Sequence, residues 1–254
     1  MKLFIHLLLI TSLGFSINTR VHAAVQVSKV ALMAKDGFKL KADYFAGQSN
    51  KPGVLMLHQC NAERSMYKQL GNKLAAQGIH ALSLDFRMYG ESVTEHVNLE
   101  TINAIEPDRT KRRALFNQHR KYWPADVIVA LHYLQEKMAS NAAIGVIGAS
   151  CGGGQAIQLA GTKPVDALMF FSSGMDEETL SRYQALSATP TFIIAAEGDT
   201  YTFNSSQKLF AQSNHPQNRL INYKGEGHGH PLFKQDPSLA DNMVAWMKQQ
   251  LQSK

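Results

Sequence analysis

The sequence predicts an α/β fold built on one mostly parallel sheet with helices on both faces. Three observations predict it. From Gly53 onward, short apolar runs alternate with stretches of helical periodicity, the pattern of a parallel sheet wound with helices. The runs are apolar at successive positions, as in Val54-Leu55-Met56-Leu57, which suits strands buried on both faces. Finally, residues 144–160 read without a break as strand, sharp glycine turn and helix.

The elements follow in chain order. Residues 25–34 alternate as a strand, Asp36-Gly37 is a hairpin signal, and residues 39–46 alternate again. In the second run Leu40, Ala42 and Tyr44 oppose Lys39, Lys41 and Asp43, so the two make an antiparallel pair at a sheet edge. Residues 47–52 form a loop. Residues 53–58 are a central strand, and residues 59–64 leave it as a loop. Residues 65–77 carry Leu70, Leu74 and Ala75 at helical spacing, with Gly78 as the stop. Residues 79–85 are the next strand.

Residues 93–123 are polar and carry Arg109, Lys111, Arg112, Arg113, Arg120 and Lys121, with a helix expected over 110–121. The segment reads either as a solvated surface insertion or as a lid over a site. Pro124 suits the first turn of a helix that runs to about residue 138, with Val127, Ile128, Leu131 and Leu134 on its buried stripe. Strands are expected at 165–172, 190–196 and 218–223. Helices are expected at 177–186, 205–212 and 238–251. With no internal repeat and no linker, residues 24–254 form a single domain.

Residues 1–23 stand apart. Lys2 precedes an apolar stretch over 3–17, and Val21 and Ala23 sit at signal-peptidase spacing, so cleavage is expected after Ala23. The stretch is short for a spanning helix, and the mature form is expected to have no membrane span. An exported protein of a bacterial periplasm is the expectation. Removal takes away Lys2 and Arg20 and lowers the formal net charge from +6 to +4. That excess comes with no aromatic-basic interleaving or recognition motif, so no nucleic-acid partner is expected. With 44% hydrophobic residues the chain is not disordered. Oligomeric state is not readable.

The chemistry concentrates after the strands. Gly148-Ala149-Ser150-Cys151-Gly152 has the form of a nucleophile elbow, whose glycines let a strained serine stand at the turn. The helix behind it offers free N–H groups and a positive dipole end. Functional groups in such sheets gather at the carboxyl ends of strands. There the chain order is Ser150, Asp199, His228: a nucleophile, an acid and a base. The serine hydroxyl needs a base to take its proton, and the acid fixes the imidazole tautomer. The oxyanion donors are expected to be the backbone N–H groups of Cys60 and Cys151. If both serve there, their backbones must lie close enough for a Cys60–Cys151 disulfide to brace the oxyanion hole. The alternative is two unpaired apolar fillers. Other assignments remain open: Cys151 as nucleophile, His230 as base, Asp176 as acid. Asp85 and Arg87 read as a structural turn, and His58 and His80 as structural histidines. No metal-ligand spacing occurs, so no metal and no organic cofactor are expected.

The residues Leu57-His58-Gln59-Cys60, Asp85-Phe86-Arg87-x-x-Gly90-x-Ser92, Gly148-Ala149-Ser150-Cys151-Gly152-Gly153, Gly198-Asp199 and Gly227-His228-Gly229 span nearly all of the mature chain. In them the chain resembles the dienelactone-hydrolase-like group of α/β-hydrolases. The resemblance implies the α/β-hydrolase fold, with a mostly parallel eight-stranded sheet. It also implies the activity of a hydrolase on a small-molecule acyl substrate. Two positions depart from the group: its usual His-Gly is here His58-Gln59, and the cysteine nucleophile of dienelactone hydrolases proper is here Ser150. The second departure points to a serine esterase. A peptidase, an acyltransferase or a non-catalytic binding scaffold would use the same frame.

Overall fold

The computed structural model describes residues 25–252; the expected signal segment, residues 1–23, lies outside the described residues. The strands are β1 (Val27–Met33), β2 (Lys39–Phe45), β3 (Gly53–Leu57), β4 (His80–Leu84), β5 (Ile144–Ala149), β6 (Ala167–Phe171), β7 (Thr191–Ala196) and β8 (Arg219–Tyr223). They form one eight-stranded sheet in the order β1-β2-β4-β3-β5-β6-β7-β8. β2 pairs antiparallel with both β1 and β4, and every pairing from β4 to β8 is parallel. The helices are α1 (Lys68–Ala76), α2 (Leu99–Ile105), α3 (Arg109–Arg120), α4 (Trp123–Gln135), α5 (Cys151–Ala160), α6 (Glu177–Gln184), α7 (Thr200–Gln212), α8 (Leu232–Gln235) and α9 (Leu239–Gln252).

Side chains of a strand alternate between faces, and this sheet fills a core on each. On one face Leu55, Leu57, Val146, Leu168, Phe170 and Ile193 meet α4 to α7 through Val127, Leu131, Ile157, Leu180 and Leu209. On the other, Val54, Met56, Ile147, Met169 and Phe192 meet α1 and α9 through Leu70, Leu74, Met243 and Met247. The continuous apolar strands therefore pack on both sides, as their composition required.

α7, α4 and the segment 93–123 depart from the sequence expectation. α7 begins at Thr200, five residues before the expected start, because Asp199 occupies its N-cap position and the Asp199 carbonyl accepts from Phe203 N–H at 2.8 Å. The β-favouring run Thr200-Tyr201-Thr202-Phe203 hid that start. α4 ends at Gln135, short of Met138. Residues 93–123 hold α2 as well as α3. No residue of α3 is fully buried. Its Phe116 meets the buried Trp123 ring edge-on at 5.7 Å, which ties the polar helix to the core.

The turn after β4 is held by buried charges. Arg64, 5% exposed, pairs with Asp43, Asp85 and Glu91. Arg87, 4% exposed, grips Asp126 of α4 with two N–H groups at 3.0 and 2.9 Å and Asp36 of the hairpin at 2.6 Å. Its guanidinium lies over the Phe38 and Tyr122 rings at 4.3 and 4.5 Å. Asp85 and Arg87 are thus structural, as the sequence reading had them. His80 is structural too: it accepts from Gly47 N–H at 3.1 Å and contacts the Tyr44 hydroxyl at 2.7 Å.

His58 joins the ends of β3 and β4. It is fully buried between the Phe86 and Tyr89 rings. Phe86 N–H donates to its Nε2 at 3.0 Å, so Nδ1 carries the proton and donates to the Gln59 carbonyl at 2.7 Å. Burial lowers its pKa to about 4. An unfolded histidine titrates near 6.5. Between those values the unfolded chain binds a proton that the folded chain refuses. Stability is therefore full above pH 6.5 and falls as pH drops toward 4, by roughly 3 kcal/mol from this group. Urea denaturation from pH 7.5 to 4 is expected to show that loss, and a His58→Gln variant to have a shallower slope. Equal slopes would count against this account of His58.

Candidate active site

The elbow forms because α5 starts in backbone contact with two strand ends. Ser150 has φ 50 and ψ −118, a conformation that side chains disfavour. A Cβ on Gly148 would stand 2.5 Å from the Gly152 carbonyl oxygen, and one on Gly152 would run into the Leu57 carbonyl. Glycine at both positions is what lets the helix close onto β5 and β3. Ser150 N–H donates to the Phe171 carbonyl at 2.9 Å, and Gly153 N–H to the Ser150 carbonyl at 3.0 Å.

Asp199 and His228 come together. The His228 Nδ1 to Asp199 Oδ2 distance is 2.5 Å, and Thr202 Oγ1 donates to the same oxygen at 2.5 Å. The loops that carry them are zipped by backbone bonds: Glu197 N–H to the Tyr223 carbonyl and Gly198 N–H to the Gly225 carbonyl, at 2.9 and 2.8 Å. The histidine loop is also fastened to the end of β6, where Gly229 N–H donates to Ser172 Oγ at 2.8 Å. Ser150 and the His228 loop thus hang from consecutive residues, Phe171 and Ser172. With Asp199 on Nδ1, the imidazole has Nε2 left to act.

The other candidates make different contacts. Asp176 caps α6, where its Oδ1 accepts from Thr179 N–H at 2.8 Å, and those Thr179 bonds hold its pKa below the ordinary value. His230 is exposed and stacks edge-on against Phe233, with 6.1 Å between ring centroids. Cys151 is joined to Cys60 in a disulfide with 5.8 Å between the Cα atoms, so its sulfur is not a free thiol. The bond spans the ends of β3 and β5. Neither the Cys60 nor the Cys151 backbone N–H donates to a protein acceptor among the described residues. A cavity of about 380 Å³ opens beside Cys60, lined by Met88, Tyr89, Val93, Asn98 and Leu99. Leu99 N–H bonds to the Met88 carbonyl at 3.3 Å, so α2 is stitched to the cavity floor.

Sequence reasoning missed three polar residues around the site. Thr202 carried a readable signal, a hydroxyl three positions after Asp199, the spacing at which side chains on one helical turn meet. Ser172 ends an apolar strand and is fully buried at φ 46. Gln59 was noted only as a departure from glycine, yet it is 3% exposed and its amide reaches the histidine loop. Neither had a local pattern to mark it, because each one's partner lies far along the chain.

Solved structures share the arrangement of elements. An esterase of Pyrococcus furiosus is similar with a TM-score of 0.68 at 16% identity, covering 89% of this chain and 93% of that one. A dienelactone hydrolase of Anabaena variabilis is similar with a TM-score of 0.67 at 18% identity, covering 91% and 100%. A cold-adapted esterase from an Arctic intertidal metagenomic library is similar with a TM-score of 0.67 at 16% identity, covering 94% and 100%. At these identities the likeness is one of fold. Among curated proteins none matches by sequence. The profile of the dienelactone hydrolase family matches residues 42–249. The chain therefore belongs to the dienelactone hydrolase family and is an ester-cleaving hydrolase with the α/β-hydrolase fold.

Proposed function

We propose that the protein is an exported serine hydrolase that cleaves a carboxylic ester through an acyl-enzyme. Ser150 Oγ attacks the ester carbon while His228 Nε2 takes its proton. The carbonyl oxygen becomes an oxyanion held by the Cys60 and Cys151 N–H groups, each donor contributing roughly 3 kcal/mol at the transition state. As the intermediate collapses, His228 gives its proton to the departing alcohol. Water then attacks the acyl carbon as His228 takes its proton, and His228 returns a proton to Ser150 Oγ as the bond from that oxygen to the acyl carbon breaks and the acid leaves. Asp199 holds Nδ1–H and stabilises the imidazolium at each stage.

The observation that carries this reading is the strained Ser150 at a helix start, anchored to the same strand end as a histidine whose Nδ1 meets a carboxylate at 2.5 Å. The free N–H groups on both sides of the disulfide support the oxyanion assignment. The disulfide also supports export, since such bonds persist in oxidising compartments. No helix among the described residues is long and apolar enough to cross a membrane.

The purified protein should hydrolyse short p-nitrophenyl esters and be labelled at Ser150 by a fluorophosphonate. Ser150→Ala should lower kcat/KM by roughly 10⁵–10⁶-fold, and Asp199→Asn by roughly 10⁴-fold. A wild type that is neither active nor labelled rejects the proposal.

Thiol titration of the denatured, unreduced protein should read zero, and two after reduction. The bridge closes a separation of 91 residues, so reduction should lower unfolding free energy by up to about 4–5 kcal/mol. A reduced enzyme with unaltered kcat would remove the bridge from the oxyanion assignment. When the full chain is expressed in a bacterium with an intact secretion system, N-terminal sequencing of the periplasmic protein should begin at Ala24. Retention of residues 1–23 in the cytoplasm would reject the export assignment.

A further inference from the structure

Two buried side chains outside the reacting set hold the peptides that follow His228. Ser172 Oγ receives Gly229 N–H at 2.8 Å. Gln59 Oε1 receives His230 N–H at 2.9 Å, while Gln59 Nε2 turns the other way and donates to Asn61 Oδ1 at 2.5 Å. One amide thus bridges the loop after β3, which carries the Cys60 N–H, and the loop after β8, which carries His228. The two bonded residues are 171 positions apart in the chain.

The site is shaped around that amide. Gly229 sits at φ +63, and a side chain there would occupy the space that Gln59 Oε1 fills. A buried amide is costly to leave unpaired, and here both of its ends are paired. The Gln59 carbonyl meanwhile accepts from His58 Nδ1–H at 2.7 Å. The backbone that launches the Gln59 side chain is therefore fixed by the buried, neutral His58.

We propose that Gln59 is a positioning residue for the reaction. It ties the base to the oxyanion donor, so that the imidazole and the Cys60 N–H keep one geometry about the Ser150 hydroxyl. The inference rests on the assignment of His228 as base and Cys60 as donor. Gln59 touches no reacting atom. Its effect is on where the ring and the donor stand when charge develops, and so falls on kcat more than on substrate capture. A misplacement of about 1 Å at such a site lowers rate by roughly 10²-fold.

Two substitutions separate positioning from mere packing. Gln59→Met keeps length and removes the strong acceptor and the donor. Gln59→Glu keeps an oxygen acceptor for His230 N–H and loses the donor to Asn61. With a short p-nitrophenyl ester, Gln59→Met should lower kcat by roughly 10–100-fold with KM within about threefold. It should slow fluorophosphonate labelling of Ser150 in parallel. Gln59→Glu should recover most of the lost kcat. Ser172→Ala, which frees only Gly229 N–H, provides a second measurement if Gln59→Met does not fold, and should lower kcat in the same KM-neutral way.

The inference is overturned if the wild type is active and Gln59→Met matches it in kcat. It is also overturned if Gln59→Glu is as slow as Gln59→Met, with an equal fall in melting temperature, or if Ser172→Ala, used in place of Gln59→Met, leaves kcat unchanged. A wild type without activity or labelling would instead overturn the serine-hydrolase reading itself.

Discussion

The close approach of α5 to the ends of β3 and β5 is the constraint on which the carboxyl edge of the sheet depends. It forces Ser150 into a disfavoured conformation, at about 1–3 kcal/mol. The same helix buries Ile157 and Leu159 almost completely, each contributing about 1.5–3 kcal/mol. Helix packing therefore outweighs the local strain, and the serine cannot relax without lifting those side chains from the core. The approach also brings the α5 N-terminus against the Leu57 and His58 carbonyls. That places the Cys151 backbone beside the loop of Cys60. The strain, the disulfide and the two free N–H groups all follow from one helix standing very near two strands.

A second layer of support comes from charge. Buried ion pairs are weak net stabilisers, but losing one partner costs about 3–5 kcal/mol because the other is left unpaired. Asp126 is 1% exposed and depends on Arg87 in this way. Arg87 thereby fixes the hairpin, α4 and the turn after β4 relative to one another. That turn supplies Met88 and Tyr89 to the cavity wall. Burial raises the Tyr89 phenol to about 12, so it stays neutral at any ordinary pH.

The fold was largely legible because its signals are local. Runs such as Val54–Leu57 suit strands buried on both faces, and Gly148-x-Ser150-x-Gly152 between an apolar run and a helical stretch has the form of an elbow. The pairing of Asp199 with His228, and the bridge between Cys60 and Cys151, followed from chain order and from the needs of the chemistry. The remainder depended on contacts between distant residues. Gln59 reads as a loop polar residue until the histidine loop folds onto it, and Ser172 as the frayed end of a strand. The start of α7 was hidden because threonine and aromatic side chains favour strands, whereas the bond from Phe203 N–H to the Asp199 carbonyl and the burial of Thr202 decide for helix. α2 has a single buried residue, Ile102, too little apolar periodicity to announce it. The polar segment 93–123 is therefore where pattern reading was weakest.

The bridge at the carboxyl edge has one more consequence, which concerns how the protein matures. The whole sequence contains two cysteines, and both are used in one bond. An oxidant acting on the nascent chain has a single intramolecular product to make. Within one chain these two residues offer no wrong pairing to undo.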